Sequence, residues 1–310
     1  MPAMAQDRQF SLLAFGEPLV EFVRADHAQI GPHYLMGFGG DTSNTAIAAA
    51  RQGARVSYMT AIGQDQFGDE LMALWAREGV DTTAIIRNPD AATGVYFVRP
   101  HASGRDFSYL RANSAASQFS AADINHAHIA AAQILHVSSI SQAISSAMRD
   151  AVMVALQSAR KGATVTSYDT NLRLRLWPLE TARGTIKKAM PLVDIVFPSD
   201  DEAKLLTGLD EPDAIADHYL SLGPKIVVLK RGDKGAFVAT QGRRETIPAI
   251  SVQAVDSTGA GDAFAGAFLA YYSETQDPFA AARRASQVAA KTVAGYGAIA
   301  PIPHRHQLEF

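Results

Sequence analysis

Asp256-Ser-Thr-Gly-Ala-Gly-Asp262-Ala-Phe-Ala-Gly266 sets a carboxylate directly behind a glycine turn, with small residues following it. A Gly-x-Gly turn that opens a helix lets several backbone N–H groups converge on one point. The helix N-terminus adds partial positive charge there. Such a point holds an anion, and it suits a phosphoryl group whose charge grows in the transition state. Asp262 follows the turn immediately, within reach of a hydroxyl beside that anion, where a general base must stand. The turn alone also admits a purely structural reading, a small-residue helix start packed on a strand with Asp262 as its cap. Rival nucleotide motifs fail. No G-x-x-x-x-G-K-[ST] occurs. The dinucleotide pattern requires glycine where this chain has Phe264, and it belongs early in a βαβ unit rather than near residue 260.

Positioning such a turn requires a strand before it and a helix after it. The run SVQAV at 251–255 reads as that strand, and two alanine-rich helices are expected at about 261–273 and 278–294. Upstream, apolar strand-like runs at 10–16, 56–63, 133–138, 163–168, 194–198 and 225–230 alternate with helix-like segments at 42–52, 67–78 and 145–161. Gly79 reads as a helix C-terminal cap. Alternation with short connections predicts an α/β fold, a doubly wound and mostly parallel sheet covered by helices. Runs such as IVVLK look buried on both faces. Two stretches, 21–38 and 93–110, break the rhythm with extended, half-polar patterns. YFVRP and FSYLRA around HASGRD read as a hairpin. Together, segments at about 18–38 and 93–112 are expected to pair into a small β-sheet lid, or into an ordinary antiparallel edge extension. We read residues 1–310 as a single domain.

Composition narrows the class. The chain has 310 residues, 47 % hydrophobic, and a formal charge of −3, so it has a sizeable core and no electrostatic reason to bind nucleic acid or an anionic membrane. It has no cysteine, which excludes disulfides, thiolate metal sites and cysteine nucleophiles. No apolar run reaches the roughly 18 residues of a spanning helix. The polar residues 1–9 lack the apolar segment of a signal peptide and read as a frayed start, so a cytoplasmic protein is expected. His126-Ala-His128 and His304-Arg-His306 are the only close histidine pairs, and both read as surface residues rather than ligands.

With these motifs in place, the sequence resembles the ribokinase-like (PfkB) family of carbohydrate kinases along nearly its whole length. DSTGAGDAFAGAF looks like that family's C-terminal signature. Gly39-Gly40-Asp41-Thr-Ser-Asn44-Thr-Ala46 and Gly63-x-Asp65-x-x-Gly68 match its other signature in spacing and order. The resemblance implies a doubly wound α/β domain with a β lid, Asp262 as base, and Gly259, Ala260 and Gly261 as the anion hole. It implies that Gly40 and Asn44 face the sugar. Glu202, in PSDDEAKLL, resembles the acidic motif that helps position a metal–phosphate, although an asparagine often stands where this chain has Ser199-Asp200-Asp201-Glu202. Lys230, Gly232 and Gly235 look like a nucleotide-side turn. Gly297 resembles the turn near the adenine and a monovalent-cation site, to which Asp256 and Thr258 would add oxygens. The implied cofactors are Mg²⁺ arriving with ATP and a monovalent cation such as K⁺.

Two further stretches bear on the acceptor. Tyr109-Leu-Arg111-Ala-Asn-Ser114-Ala-Ala lies on the presumed lid, and Asp169-Thr-Asn171-Leu-Arg173-Leu-Arg175-Leu-Trp177 follows a strand. Arginine offers a planar fork suited to a carboxylate. Arg111 and Arg173, with Tyr96 and Tyr109 beside them, are thus expected to clamp an acidic sugar, though each arginine taken singly also reads as a surface or hinge ion pair. Trp177 reads as core. Together with GGDTSN, the Y-x-R-x-x-S-A-A pattern looks most like 2-keto-3-deoxygluconate kinases, whereas the D-x-N-x-R-x-x-L-W stretch resembles fructokinases too. Rival readings are a neutral-sugar kinase, a nucleoside kinase, which would not require paired arginines, and a non-catalytic sugar- or nucleotide-binding regulator, which would not need Asp262. A lid sheet with an exposed apolar face would also allow a homo-oligomer.

Overall fold

The computed structural model describes residues 8–27, 31–101 and 104–308. Residues 1–7 of the start read as frayed, 28–30 of the expected lid and the hairpin tip at 102–103 lie outside the described residues. At residue 8 the frayed reading fails, because the Arg8 guanidinium donates to the Ala132 and Gly162 carbonyls and to Thr164 Oγ1. Among the described residues thirteen strands are formed. The first seven are β1 (Phe10–Phe15), β2 (Leu19–His27), β3 (Gly31–Gly39), β4 (Val56–Gly63), β5 (Ile85–Asn88), β6 (Val95–His101) and β7 (Gly104–Leu110). Then follow β8 (Ala132–Ser138), β9 (Val165–Asp169), β10 (Ile195–Phe197), β11 (Ile226–Lys230), β12 (Ala236–Thr240) and β13 (Arg244–Ile247).

Nine strands make the main sheet in the order β13-β12-β11-β10-β9-β8-β1-β4-β5. Every pairing from β11 to β5 is parallel, and the β11–β12 and β12–β13 pairings at the edge are antiparallel. Both faces are covered. Along β1, Leu12 and Ala14 join the core beneath the helices Asp41–Arg51 and Ala260–Thr275, while Leu13 and Phe15 join the core on the opposite face. The same alternation runs along IVVLK, with Ile226 and Val228 on one side and Val227 and Leu229 on the other. Strands buried on both faces have no polar side to show, which is why they read as unbroken apolar runs.

Chain order reverses at β1. The chain fills β4 and β5 on one side of it and then β8 to β11 on the other. In open α/β sheets this switch point leaves a crevice outside the carboxyl ends of the strands. Gly16 and Glu17 follow β1 there, Asp169 closes β9 and Lys230 closes β11.

The two arrhythmic stretches pair as expected into a second sheet, β3-β2-β6-β7. The β2–β3 and β6–β7 pairs are antiparallel and β2–β6 is parallel. Tyr34, Leu35, Met36 and Leu110 of this sheet are exposed. One expectation fails. Residues 251–255 form no strand. They leave the sheet edge after Pro248, and Val255 and Asp256 donate their backbone N–H groups to the Val293 carbonyl at the end of the helix Pro278–Val293. Their alternation serves a cavity wall instead, since Ile250, Val252 and Ala254 line a pocket beside Gly261. Among the described residues no helix is long and apolar enough to cross a membrane.

Candidate active site

The crevice at the strand ends opens into a cleft of about 1260 Å³ between the main sheet and the four-stranded sheet. Asp262 stands in it as the third residue of the helix Ala260–Thr275. Gly259 precedes that helix with φ +73°, and a Cβ at this position would lie 2.8 Å from the Ala298 carbonyl oxygen. Only glycine takes that conformation at no steric cost, and the tight turn it permits starts the helix at the cleft wall, with the Ala260 N–H closing the turn on the Ser257 carbonyl at 3.2 Å.

Asn44, in the first turn of the helix Asp41–Arg51, donates from Nδ2 to Asp262 Oδ2 at 2.8 Å. Thr45 Oγ1 donates to the Asp262 backbone carbonyl at 3.3 Å. The two helix starts are thus locked together, and the carboxylate is aimed. Burial pushes Asp262 up to about 7, and the charges of Asp41 and Asp169 push the same way. The Asn44 hydrogen bond and Lys230 oppose that rise. A carboxylate poised near neutrality is ionised often enough to act and basic enough to take a proton. Asp41 itself is pushed up, first by burial, and its Oδ2 accepts from Asn171 Nδ2 at 3.1 Å.

Beside the glycine turn, where a Cβ at Gly261 would lie 3.4 Å from it, Lys230 Nζ donates to Asp169 Oδ2 at 2.6 Å. Burial works against the lysine charge, but Asp169, Glu202 and Asp262 outweigh it and Lys230 is raised. A cation held among three carboxylates is available to phosphate oxygens at any pH near neutrality. Glu202 lies in the first turn of the helix Asp200–Thr207 and braces the loop after β9. Its Oε2 accepts from Thr170 Oγ1 at 2.7 Å and its Oε1 from the Leu172 N–H at 3.0 Å.

Both arginines expected to clamp an acid line the cleft, and both already face carboxylates. Arg111 bonds to the buried Glu17. Arg173 Nη1 lies 3.7 Å from Glu202 Oε1. The Arg111 guanidinium also sits 5.5 Å from the Tyr109 ring centre, and Tyr109 stacks on Tyr96 at 5.6 Å. Tyr96 donates its hydroxyl to Glu21 Oε1 at 2.6 Å, and burial, followed by that carboxylate, raises its pKa.

Gly40, Asn44, Tyr96, Tyr109, Arg111, Arg173 and Glu202 meet Lys230, Gly232, Thr258, Gly259, Gly261 and Asp262 on this one cleft. Ala260 and Gly235 line an adjoining, largely apolar cavity of about 520 Å³, walled by Phe264, Ala290 and Val293. Asp256 and Gly297 line neither. Asp256 Oδ1 accepts from Thr258 N and Oγ1 at 2.9 and 2.7 Å, and its Oδ2 accepts from Gly297 N at 3.0 Å. That carboxylate ties the glycine turn to the turn at 297. Trp177 is buried with Leu172 and Ala182, under Arg149.

Sequence reasoning assigned no role to Glu17, Asp41, Asp169 or Asn171. Three of them lie inside stretches that were singled out, GGDTSN and D-x-N-x-R, where a carboxylate or amide in a glycine-rich or post-strand turn was the available signal. Glu17 carries no motif at all.

A family model described as pfkB family carbohydrate kinase matches residues 9–305. A 2-dehydro-3-deoxygluconokinase of Thermoproteus tenax is 33 % identical over 279 residues, covering 88 % of this chain and 85 % of that one. Fructokinase-1 of Oryza sativa subsp. japonica is 35 % identical over 265 residues, covering 83 % and 81 %. Among solved structures, a putative ribokinase II from E. coli in complex with ATP and Mg²⁺ superposes with a TM-score of 0.87 at 28 % identity, covering 96 % of each chain.

Proposed function

The chain belongs to the pfkB family of carbohydrate kinases, and from that membership we propose that it transfers the γ-phosphoryl of ATP to a sugar acid. The acceptor in this reading is 2-keto-3-deoxygluconate (the substrate named 2-dehydro-3-deoxygluconate in the Thermoproteus relative) and the product its 6-phosphate. The observation that carries it is the convergence of Asp262, the glycine turn and two arginines on one cleft. Asp262 takes the proton of the acceptor hydroxyl as the oxygen attacks phosphorus. The Gly259 and Gly261 amides hold the charge that grows on the phosphoryl oxygens, the Ala260 N–H being already bonded to the Ser257 carbonyl, and ADP leaves. Lys230 and the turn at 232–235 face the nucleotide phosphates, and the apolar cavity beside Phe264 takes the adenine. The four-stranded sheet acts as the lid, with Tyr96, Tyr109 and Arg111 facing the acceptor.

Mg²⁺ fits the nucleotide end. Asp200, Asp201 and Glu202 line the cleft with Lys230, and this ion retains most of its waters and needs few protein ligands. Bound there it would screen phosphate charge. A monovalent cation at Asp256 would have to share carboxylate oxygens that already accept hydrogen bonds, as both Glu202 oxygens also do.

A neutral-sugar reading is favoured by one observation: Arg111 and Arg173 are already matched by Glu17 and Glu202. Arg111→Ala separates the two. On the sugar-acid reading, KM for 2-keto-3-deoxygluconate rises roughly 10- to 100-fold while fructose turnover is unmoved. ADP release measured by a coupled assay against both sugars decides it. An unchanged KM for the acid, with fructose preferred, transfers the assignment to fructokinase. No sugar-dependent ADP release at all would leave a non-catalytic binder.

The pH dependence is also fixed in sign. Only ionised Asp262 accepts a proton, so kcat/KM rises with pH through about 7 and then levels. Asp41, Asp169, Asn44 and Lys230 all face that carboxylate, and Asp41 is the largest like charge. Asp41→Asn should therefore move the acid limb to lower pH. A profile measured from about pH 5 to 9 with an unmoved limb would overturn that coupling.

A further inference from the structure

Glu17 takes no part in the transfer described above, yet it is 1 % exposed and lies on the cleft wall. It follows β1 at the switch point of the sheet, and its backbone carbonyl sits where a side chain at Gly40 would begin, 2.4 Å from that Cβ. One carboxylate oxygen, Oε2, accepts from Arg111 Nη2. The other, Oε1, accepts from Ser114 Oγ at 3.3 Å. A carboxylate gripped on both oxygens has a fixed plane, and a guanidinium bonded to it inherits a fixed direction. Tyr109 covers one face of that guanidinium. Arg111 is thus held at one edge and one face, and its Nε is buried without a hydrogen-bond acceptor. That N–H is a donor the protein does not use.

An unanchored arginine has about 2 kcal/mol of rotamer entropy to lose when it binds a ligand. Burying a carboxylate beside a site meant for anions is otherwise hard to rationalise. It repels the ligand, and its own burial pushes it toward the neutral form. Holding the arginine still is the return for that cost.

We propose that Glu17 is a positioning residue that aims Arg111 at the acceptor and so sets the preference for a carboxylate-bearing sugar over a neutral one; this rests on the sugar-acid reading above. Glu17 touches no reacting atom. Its effect passes through Arg111, so it is felt in acceptor binding and only where the acceptor has a carboxylate.

The test is a double-mutant cycle on the full chain with Glu17→Gln, Arg111→Ala and the pair combined. Each variant is assayed with 2-keto-3-deoxygluconate and with fructose, and thermal melting is recorded in parallel. Glu17→Gln is expected to raise KM for the acid about tenfold with a far smaller change in kcat, and to leave KM for fructose unmoved. The double variant should match Arg111→Ala alone, because a residue acting through Arg111 has nothing left to act on. If Arg111→Ala raises KM for the acid but Glu17→Gln does not, or the two effects add, the positioning role is overturned while the sugar-acid reading stands. If Arg111→Ala leaves that KM unchanged, the reading itself falls and takes this role with it. A rise for both sugars with a lowered melting temperature would make Glu17 merely structural. Should Glu17→Gln fail to fold, Ser114→Ala releases one oxygen of the carboxylate and keeps the ion pair. It should raise KM for the acid alone by about threefold, and an unmoved KM overturns the role.

Discussion

Asp262→Asn is expected to lower kcat by about 10²–10⁴-fold while KM for both substrates stays within about threefold. The substitution is close to isosteric. Asn44 Nδ2 can still donate to the side-chain oxygen that replaces Oδ2, and the Thr45 bond to the 262 backbone carbonyl is untouched. What disappears is the proton acceptor. The acid limb near pH 7 should vanish with it, since the group that titrates there is gone. Stability should move the other way. The folded-state pKa of Asp262 is raised above its ordinary 3.8, so its contribution to stability is greatest below that value and is lost as pH climbs through about 7. Asparagine has no such loss, and the variant should melt higher than the parent at about pH 8. Coupled ADP release, nucleotide titration and melting curves at two pH values check all three statements. A variant turning over near the parental rate would remove Asp262 from the mechanism.

The mostly parallel main sheet was legible because parallel strands buried on both faces leave apolar runs such as IVVLK, and helices between them leave a different period; its strand order was not read. The second sheet was legible for the opposite reason. Residues 21–38 and 93–110 alternate without an intervening helix, and a half-exposed sheet does that. Alternation misled at 251–255, since a strand edge and a cavity wall ask the same of every second residue, and only the partner differs. The glycine turn and Asp262 were legible because the chemistry sits within a few neighbouring residues. Pairings across elements were not. Glu17 meets Arg111 across 94 residues and Asp169 meets Lys230 across 61, and no local spacing records such distances. The type of Arg111 announced an anion partner. It did not say that the protein supplies one itself, and that is where the acceptor assignment and the role of Glu17 have to be argued from geometry.

Gly259→Ala probes the remaining half of the mechanism, the amides rather than the base. A Cβ at residue 259 would lie 2.8 Å from the Ala298 carbonyl oxygen and 3.0 Å from Ala298 Cα, so backbone must shift. The φ of +73° adds a conformational cost of about 1–2 kcal/mol for a non-glycine residue. Either the turn relaxes, and its N–H groups cease to converge, or residues 297–298 move away and loosen the tie that Asp256 makes between the two turns. Both routes spoil the hole for the phosphoryl oxygens, and losing one such donor costs about 10²–10³-fold in kcat. Asp262 keeps its Asn44 bond and its neighbours, so the pH profile should keep its limb near 7 at a lower plateau, unlike that of Asp262→Asn. Gly184→Ala is the control. It sits in the exposed middle of the helix Leu179–Ala189 with nothing near its would-be Cβ, and alanine there favours the helix by roughly 0.8–1 kcal/mol. If Gly259→Ala turns over as fast as that control, the glycine turn does not hold the transferring group, and Lys230 would have to carry its charge alone.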